Sequence, residues 1–307
     1  MLDQFIWGEV DRISPEAPVP IVNFKTESFM AGGAANVARN LTSLQCSAQM
    51  HSVIGRDESG KKLRILLQDD QVDCKSLITS PARQTSCKTR IIAQRQQIVR
   101  VDREAGSDLE LQLSKRLAKS IEKGLSKSKA IVIGDYGKGV ITQDFLNKLK
   151  QLKKQHSAWL SFDPKPVHSL DLSELSLVTP NRKEAFELAG ICDSTKKTNP
   201  LKDKNLIRVA KKLIDKLGLK ILLVTLGELG MLICQPGKKA FHIPTLAREV
   251  FDVSGAGDTV IGTFTMAIAA GADPIEAAIL ANHAAGVVVG KLGTATVTPK
   301  ELLDSFN

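Results

Sequence analysis

The 307-residue sequence is poor in aromatic side chains, which make up 4% of its residues, and it contains a single tyrosine. With so few rings available to stack on bases, its net charge of +9 does not indicate a nucleic-acid binder. Its basic residues are spaced as solvated helix faces, for example at Lys115, Lys119 and Lys123. We therefore expect no nucleic-acid partner, and we interpret the positive charge as a means of attracting small polyanionic substrates.

Cysteine and histidine are also scarce, with five residues of each, and neither set has the spacing of a metal site or a disulfide framework. We therefore expect reduced, unpaired thiols. The sequence lacks a continuous apolar run long enough to cross a membrane, and its N-terminus lacks the pattern of a signal peptide. These absences predict a cytoplasmic protein without a membrane partner.

From about residue 105 onward, short apolar runs alternate with amphipathic segments. This alternation predicts an α/β fold, a three-layer αβα sandwich whose central sheet is mostly parallel. We expect residues 1–307 to form a single domain. The predicted strands cover 130–134, 159–162, 175–178 and 221–225, the predicted helices cover 107–126, 142–156 and 201–217, and a last helix begins at Asp273.

Two segments depart from this alternation. Residues 9–24 contain three prolines and suit an extended sheet edge, and residues 85–102 have the pattern of a hairpin that turns near 94–96. Together they predict a small β flap that covers an anionic ligand and packs against a second copy of the chain, giving a homodimer. The alternative is an ordinary surface hairpin. The expected charged face of the flap carries Lys88, Arg90, Arg100 and Asp102, with Thr89, Ile91, Val99 and Val101 opposite.

The strongest motif is Asp252-Val253-Ser254-Gly255-Ala256-Gly257-Asp258-Thr259, which runs into an apolar helix. Glycines at a helix start let unpaired backbone N–H groups converge, and such a spot attracts anions. Asp258 would repel that anion unless it takes a proton from a hydroxyl that attacks a phosphoryl group. The motif therefore predicts a kinase in which Asp258 is the base and the amides of Gly255, Ala256 and Gly257 hold the phosphate. The alternative is that Asp258 only caps the helix.

Two further glycine-rich segments precede predicted helices. Gly32 and Gly33, with Asn36 after them, can approach and hydrogen-bond a polyol substrate, or they can form only a tight loop. Residues 55–62 nearly match the nucleotide P-loop, but lysine stands where the magnesium-binding hydroxyl should be. We therefore interpret residues 55–62 as a strand end followed by a helix start.

Polar residues also follow four of the predicted strands, where open α/β sheets bind ligands. Asn181, Arg182, Lys183 and Glu184 form one such turn, in which Asn181 and Glu184 hold a magnesium-bound water or simply cap a helix. Thr225, Gly227 and Gly230 either lie against a nucleotide or form a hairpin turn to 231–234. Lys138 and Lys165 stand at the other two strand ends, where they meet a phosphorylated substrate or only solvent.

In their order along the chain, these motifs resemble the ribokinase-type carbohydrate kinase superfamily. Within it, the chain resembles the D-glycero-β-D-manno-heptose 7-phosphate kinases of lipopolysaccharide precursor synthesis. The matching segments are 12–20 (RISPEAPVP), 135–139, 163–165 and 291–297 (KLGTATV). Similarity over essentially the whole chain implies a ribokinase-like fold and transfer of the ATP γ-phosphoryl group to the anomeric hydroxyl, giving the 1,7-bisphosphate, with Mg²⁺ and a monovalent cation such as K⁺.

The resemblance also implies roles for individual residues. Sugar binding is expected at Asp3, Gly33 and Asn36, a magnesium-bound water at Glu184, and the monovalent cation at Asp252. From charge and placement we expect Lys138 and Arg100 to contact the 7-phosphate. The expected nucleotide contacts are Asn181, Arg182, Lys183, Glu184, Thr225, Gly227, Gly230 and Asn282.

Two departures from the family pattern give further expectations. Many relatives carry a nucleotidyltransferase domain after the kinase; we expect none within residues 1–307, so that adenylylation falls to a separate protein. Relatives also have an apolar strand just before the position of Met1, so we expect the natural start to lie upstream.

Two alternatives for function stay open: a kinase of the same fold for a fructose or tagatose phosphate, and a nucleotide- or sugar-binding regulator without turnover, which the presence of Asp258 disfavours.

Overall fold

The computed structural model describes residues 1–94, 96–165, 169–246 and 250–307. Among these residues, no helix has the length and apolar character needed to span a bilayer. The strands are β1 (Leu2–Ile13), β2 (Pro20–Ala31), β3 (Ser52–Gly55), β4 (Leu77–Ser80), β5 (Cys87–Ala93), β6 (Gln96–Arg103), β7 (Ala130–Gly134), β8 (Trp159–Asp163), β9 (Leu177–Val178), β10 (Ile221–Thr225), β11 (Met231–Cys234) and β12 (Phe241–Ile243).

The helices alternate with these strands along most of the chain. Short 3₁₀ helices cover Pro200–Lys202 and Gly227–Leu229. The α-helices are α1 (Ala34–Ser43), α2 (Glu58–Asp69), α3 (Leu111–Gly124), α4 (Gln143–His156), α5 (Arg182–Ala189), α6 (Lys204–Leu217), α7 (Ala256–Ala270), α8 (Pro274–Val288) and α9 (Pro299–Asp304).

The largest sheet has the strand order β12-β11-β10-β9-β8-β7. Strands β7 to β10 are parallel, and β11 and β12 continue the sheet in antiparallel fashion. Alternate residues of β10 are buried on opposite faces: Leu222 and Val224 pack with α3 to α6, whereas Ile221 and Leu223 pack with α7 and α8. Because helices cover both faces, these strands are apolar on both sides. The predicted layering is confirmed.

Helix α8 begins as predicted, with Pro274 in its first turn and a capping box between Asp273 and Glu276. It is not the last helix, however, and that expectation was wrong. Thr298 caps α9 and forms a second capping box with Glu301. Helix α9 has only six residues, so its apolar periodicity is too short to be read from sequence.

The flap is a four-stranded sheet of order β2-β1-β5-β6. Pro20 is the first residue of edge strand β2, where its missing N–H costs no ladder hydrogen bond. The sheet is larger than predicted, because β1 and β2 run from Leu2 to Ala31 as one long antiparallel pair. Lys88 pairs with Asp102 and Arg90 with Arg100, which confirms the expected shared face. Of the expected turn near 94–96, residue 95 lies outside the described residues.

The segment that resembles a P-loop connects β3 to α2. Gly55 ends β3, and the carboxylate of Asp57 accepts hydrogen bonds from the backbone N–H groups of Gly60, at 2.7 Å, and of Thr85, at 2.8 Å. A carboxylate therefore occupies the place where a phosphate would bind in a P-loop. This confirms the interpretation of the segment as a strand end and a helix start.

A cavity of about 720 Å³ separates the six-stranded sheet from the β3–β4 pair. Strand β7 pairs with β8 and β3 pairs with β4, and no strand of the described chain pairs with their other edges. Both strands line the cavity with apolar side chains, and helices lie on either side of it. Met1 also lines the cavity.

We expect the backbone amides of β7 that face this cavity to exchange with deuterated solvent faster than those of central strand β10, because they lack a strand partner. Hydrogen exchange followed by mass spectrometry measures both strands in one experiment. Equal protection of β7 and β10 would contradict this expectation.

Candidate active site

Asp258 lies in the first turn of α7 and is 6% exposed. Its Oδ2 accepts a hydrogen bond from Nδ2 of Asn36 at 3.0 Å, and its Oδ1 accepts one from the hydroxyl of Tyr136. Burial raises the pKa of Asp258 to about 6, although both hydrogen bonds oppose this effect. At neutral pH the carboxylate is therefore ionised but more basic than an exposed aspartate, as a general base requires.

The amide of Asn36 is held in a fixed orientation by buried neighbours. Nδ2 of Asn40 donates to Oδ1 of Asn36 at 3.3 Å, and the hydroxyl of Thr259 donates to Oδ1 of Asn40 at 3.2 Å. Since the carbonyl of Asn36 already accepts a hydrogen bond, its NH₂ group is the part that faces Asp258. These contacts join α1 to α7, so the packing of the two helices fixes the position of the base.

The start of α7 is a tight glycine-flanked turn, in which the N–H of Ala256 donates to the carbonyl of Val253 at 3.3 Å. Gly255 precedes the helix with φ of 80°, and a Cβ atom there would lie 2.5 Å from Nδ2 of Asn36. A Cβ at Gly257 would meet no atom within 4 Å, so the space above the amides is open. The N-terminus of α7 therefore offers room for a phosphoryl group next to the carboxylate of Asp258, at the positive end of the helix dipole. This arrangement fits ATP as the phosphoryl donor.

A second, partly buried carboxyl group, that of Asp163, lies at the carboxyl end of β8. Burial and then the negative charge of Asp258 raise the pKa of Asp163 to about 8, although the hydroxyl of Thr179 donates to its Oδ1 at 2.9 Å. The charge of Glu184 acts in the same direction. A cation bound between these acidic groups would relieve their repulsion.

Asp163 and Glu184 fit Mg²⁺ only if other ligands complete its coordination. Within the described ranges, no group of three or more His, Cys, Asp or Glu side chains is arranged to hold a metal. Mg²⁺ commonly keeps several waters and uses one or two carboxylates together with substrate phosphates. Asp163 and Glu184 would therefore hold Mg²⁺ with the phosphates of ATP and water completing its coordination.

The turn at 181–184 is a capped helix start, which was one of the two interpretations of this segment; the other was a site for a magnesium-bound water. The side chain of Asn181 accepts from the backbone of Glu184, and Glu184 accepts from the backbone of Asn181. Arg182 donates to Asp193 and Asp203, and Lys183 is exposed, with its ammonium 3.8 Å from Glu187. The contact of these residues with ATP stays a prediction.

The Thr225–Gly230 turn lies beside the 181–184 turn, because the N–H of Thr225 donates to the carbonyl of Pro180 at 3.0 Å. Gly227 and Gly230 form the hairpin turn between β10 and β11, and Gly230 packs against the backbone that follows β12. Asn282 donates to the carbonyl of Pro244 in that same backbone at 2.8 Å. The predicted nucleotide residues thus form a continuous rim at the carboxyl edge of the sheet.

Asp252 closes the loop in front of α7. One oxygen of its carboxylate accepts from the N–H of Ser254 at 2.9 Å, and the other accepts from the N–H of Gly293 at 3.0 Å. Burial alone would raise the pKa of Asp252, but these hydrogen bonds outweigh it and hold the pKa below its usual value. The ionised carboxylate therefore remains a candidate ligand for a monovalent cation.

The expected sugar-binding residues lie on the other side of Asp258. Asp3 is buried, forms an ion pair with Arg90, and lies directly against Gly32. The two expected phosphate contacts both have carboxylate partners: Lys138 donates to Glu104, and Arg100 forms two hydrogen bonds with Asp102. The structure therefore brings these residues to one side of the cleft, with their charges already paired.

Tyr136 is the residue of this site that sequence reasoning missed. Its ring lies against the Gly33 loop, where a Cβ atom would be 2.9 Å from Cε2 of Tyr136. Gly33, with φ of 61°, therefore provides both the turn and the room for the ring. A signal was present in the sequence, because Tyr136 is its single tyrosine and lies two residues after the end of β7.

Comparison with solved structures defines the class of fold. The chain is similar to ribokinase from Arabidopsis thaliana, solved with ribose and ATP, with a TM-score of 0.77 and 20% identity over 100% of this chain and 96% of that one. It is also similar to phosphofructokinase-2 from Escherichia coli, solved with potassium, with a TM-score of 0.80 and 20% identity over 99% of this chain and 94% of that one. At these identities the similarity establishes the fold alone, which is ribokinase-like.

Sequence comparison then defines the family. The pfkB family carbohydrate kinase profile matches residues 4–301. The bifunctional protein HldE of Geobacter sulfurreducens is 40% identical over 306 residues, which are 100% of this chain and 61% of that protein. The same protein of Paramagnetospirillum magneticum is 40% identical over 304 residues, 99% of this chain and 61% of that protein. The chain thus spans about three fifths of the length of these relatives. It belongs to the pfkB family of carbohydrate kinases.

The contact between Tyr136 and Asp258 gives a testable prediction. Tyr136→Phe removes a hydrogen bond to a charged group, so we expect the turnover number to fall by about 10- to 100-fold. Because that hydrogen bond lowers the pKa of Asp258, the acidic limb of the pH–rate profile should move to higher pH. In an Asp258→Asn background the same change should have no further effect on turnover. An unchanged pH profile in the single variant would contradict the contact's role.

Proposed function

We propose that this chain transfers the γ-phosphoryl group of ATP to the anomeric hydroxyl of D-glycero-β-D-manno-heptose 7-phosphate, giving the 1,7-bisphosphate for lipopolysaccharide core precursor synthesis. The observation that carries the kinase reaction is the buried carboxylate of Asp258 beside the open space at the start of α7. The sugar phosphate is supported by the basic residues on the flap next to Asp3. It is also supported by the 40% identity to bifunctional HldE proteins over the whole chain.

The residues of the site suggest how the reaction proceeds. The anomeric hydroxyl hydrogen-bonds the carboxylate of Asp258, and its proton passes to that carboxylate as the new oxygen–phosphorus bond forms and the bond to the β,γ-bridging oxygen of ATP breaks. The amides of Gly255, Ala256 and Gly257 stabilise the charge on the transferred group. Mg²⁺ beside Asp163 and Glu184 would supply further charge neutralisation. The flap excludes water that would otherwise hydrolyse ATP.

The test is a substrate panel scored by ADP release, covering heptose 7-phosphate, fructose and tagatose phosphates, and the corresponding free sugars. We expect the highest kcat/KM for heptose 7-phosphate. A higher value for a fructose or tagatose phosphate would overturn the substrate assignment but leave the kinase reaction in place. No ADP release with any sugar would favour a regulator without turnover.

Asp258→Asn tests the base separately from the substrate. We expect turnover to fall by about 10²–10⁴-fold while ATP still binds, because a neutral amide cannot accept the proton. Asp144→Asn is the matched control, since Asp144 also lies in the first turn of a helix but is exposed. Near-normal turnover of Asp258→Asn would remove Asp258 from this role.

We propose in addition that the flap joins two copies of the chain. Strand β6 forms one edge of the flap sheet, and Val99 and Val101, on the face opposite Arg100 and Asp102, are each 46% exposed. An open edge and a half-exposed apolar face match what a second flap would cover.

Sedimentation or light scattering at micromolar concentration tests the dimer. We expect a dimer that dissociates in the double variant Val99→Lys, Val101→Lys, because buried lysines would repel across the interface. Leu303→Lys is the control, since Leu303 is exposed on α9, which packs against α8 and not against the flap. A monomeric parent chain would overturn this proposal.

A further inference from the structure

Three charged side chains meet between the flap and the strand end after β7. Glu104 follows β6, Lys88 lies on β5, and Lys138 follows β7. Oε2 of Glu104 accepts a hydrogen bond from Lys138, whereas its Oε1 is buried and has no hydrogen-bond partner among the described residues. The ammonium of Lys88 lies 3.8 Å from Oε1.

The ammonium of Lys88 also has hydrogen-bond donors that its acidic neighbours do not accept. Its side chain is only 20% exposed, and its ammonium lies 3.7 Å from Oδ2 of Asp102 and 3.8 Å from Oε1 of Glu104. Both distances permit charge attraction but exceed the range of a hydrogen bond. An ammonium group has three donors, and leaving donors and a buried acceptor unsatisfied is costly. The cluster therefore has the capacity to bind a further polar ligand.

The position of Lys88 connects it to the proposed sugar site. In the register of the flap sheet, Lys88 lies beside Asp3 on β1 and beside Asp102 on β6. Asp3 in turn lies against Gly32, and the adjoining Gly33 holds the ring of Tyr136, which contacts Asp258. A sugar that places one end at Asp258 and lies along Asp3 would direct its other end toward Lys88 and Lys138.

The positive charges of Lys88 and Lys138 match a phosphate better than a carboxylate. Glu104 brings one negative charge to two ammonium groups and forms a hydrogen bond with only one of them. A phosphate carries close to two negative charges at neutral pH and presents three terminal oxygens, so it can accept from both lysines together.

We propose that Lys88 and Lys138 form the binding site for the distal phosphate of the substrate, and that Glu104 occupies this site in the free protein. On binding, the phosphate displaces the carboxylate of Glu104 from Lys138. Glu104 thereby acts as a specificity-determining residue, because only a ligand that carries more charge than a carboxylate gains by replacing it. This inference rests on the proposed function for the identity of the sugar, but the phosphate site itself can be tested without turnover.

The first experiment measures binding of inorganic phosphate by calorimetry in the presence of a saturating non-hydrolysable ATP analogue, whose γ-phosphate fills the proposed phosphoryl position at the start of α7. Lys88→Met should weaken phosphate binding by about 10-fold or more, since it removes a donor to a charged ligand. Glu104→Gln, which keeps the shape and removes the competing charge, should strengthen it by a similar factor. Lys61→Met is the control, because Lys61 pairs with Glu58 on the exposed face of α2.

The second experiment measures kinetics on the best substrate of the panel. Lys88→Met should raise KM for the phosphorylated sugar by about 10-fold with little change in kcat, and should leave KM for ATP unchanged. Thermal melts with and without phosphate check that each variant folds, and phosphate should stabilise Glu104→Gln more than the parent chain.

The outcomes separate the two proposals. Unchanged phosphate binding in both Lys88→Met and Glu104→Gln would overturn the phosphate site, whatever sugar the enzyme uses. A shift in phosphate binding together with no turnover of heptose 7-phosphate would retain the site and reject that substrate.

Discussion

The carboxylate of Asp258, held between Asn36 and Tyr136 at the positive end of α7, is the constraint on which the rest of the site depends. Removing this group from water raises its pKa to about 6, and two donors keep it ionised at neutral pH. One donor comes from α1 and the other from the strand end after β7. The packing of α1, α7 and β7 therefore determines both where the base lies and how strongly it holds a proton.

The parts of the structure that could be predicted from sequence are those with local causes. The strand ends, the Asp57 cap and the capping boxes of Asn181 and Asp273 follow from residues within four positions of one another. The amide cradle of Gly255 to Gly257 is local in the same sense. These signals place most candidate residues at the carboxyl edge of the sheet before any coordinate is known.

The remaining features depend on contacts between distant parts of the chain. Tyr136 and Asp258 are separated by 122 positions, and the pKa of Asp163 is raised first by its burial and then by the charge of Asp258, 95 positions away in the chain. Likewise, the charges of Arg100 and Lys138 were visible in sequence, but their pairing with Asp102 and Glu104 was not. Composition identifies which side chains carry charge; only the packed chain decides which charges are left to bind a ligand.

The cavity between β3 and β7 has a consequence for how the molecule holds together. Among the described residues, no ladder hydrogen bonds join β3 to β7 across this gap. The β3–β4 pair therefore keeps its place against the six-stranded sheet mainly through the helices and apolar side chains that line the space of about 720 Å³. We expect this pair of strands to open locally at a lower free energy than the central strands of the main sheet.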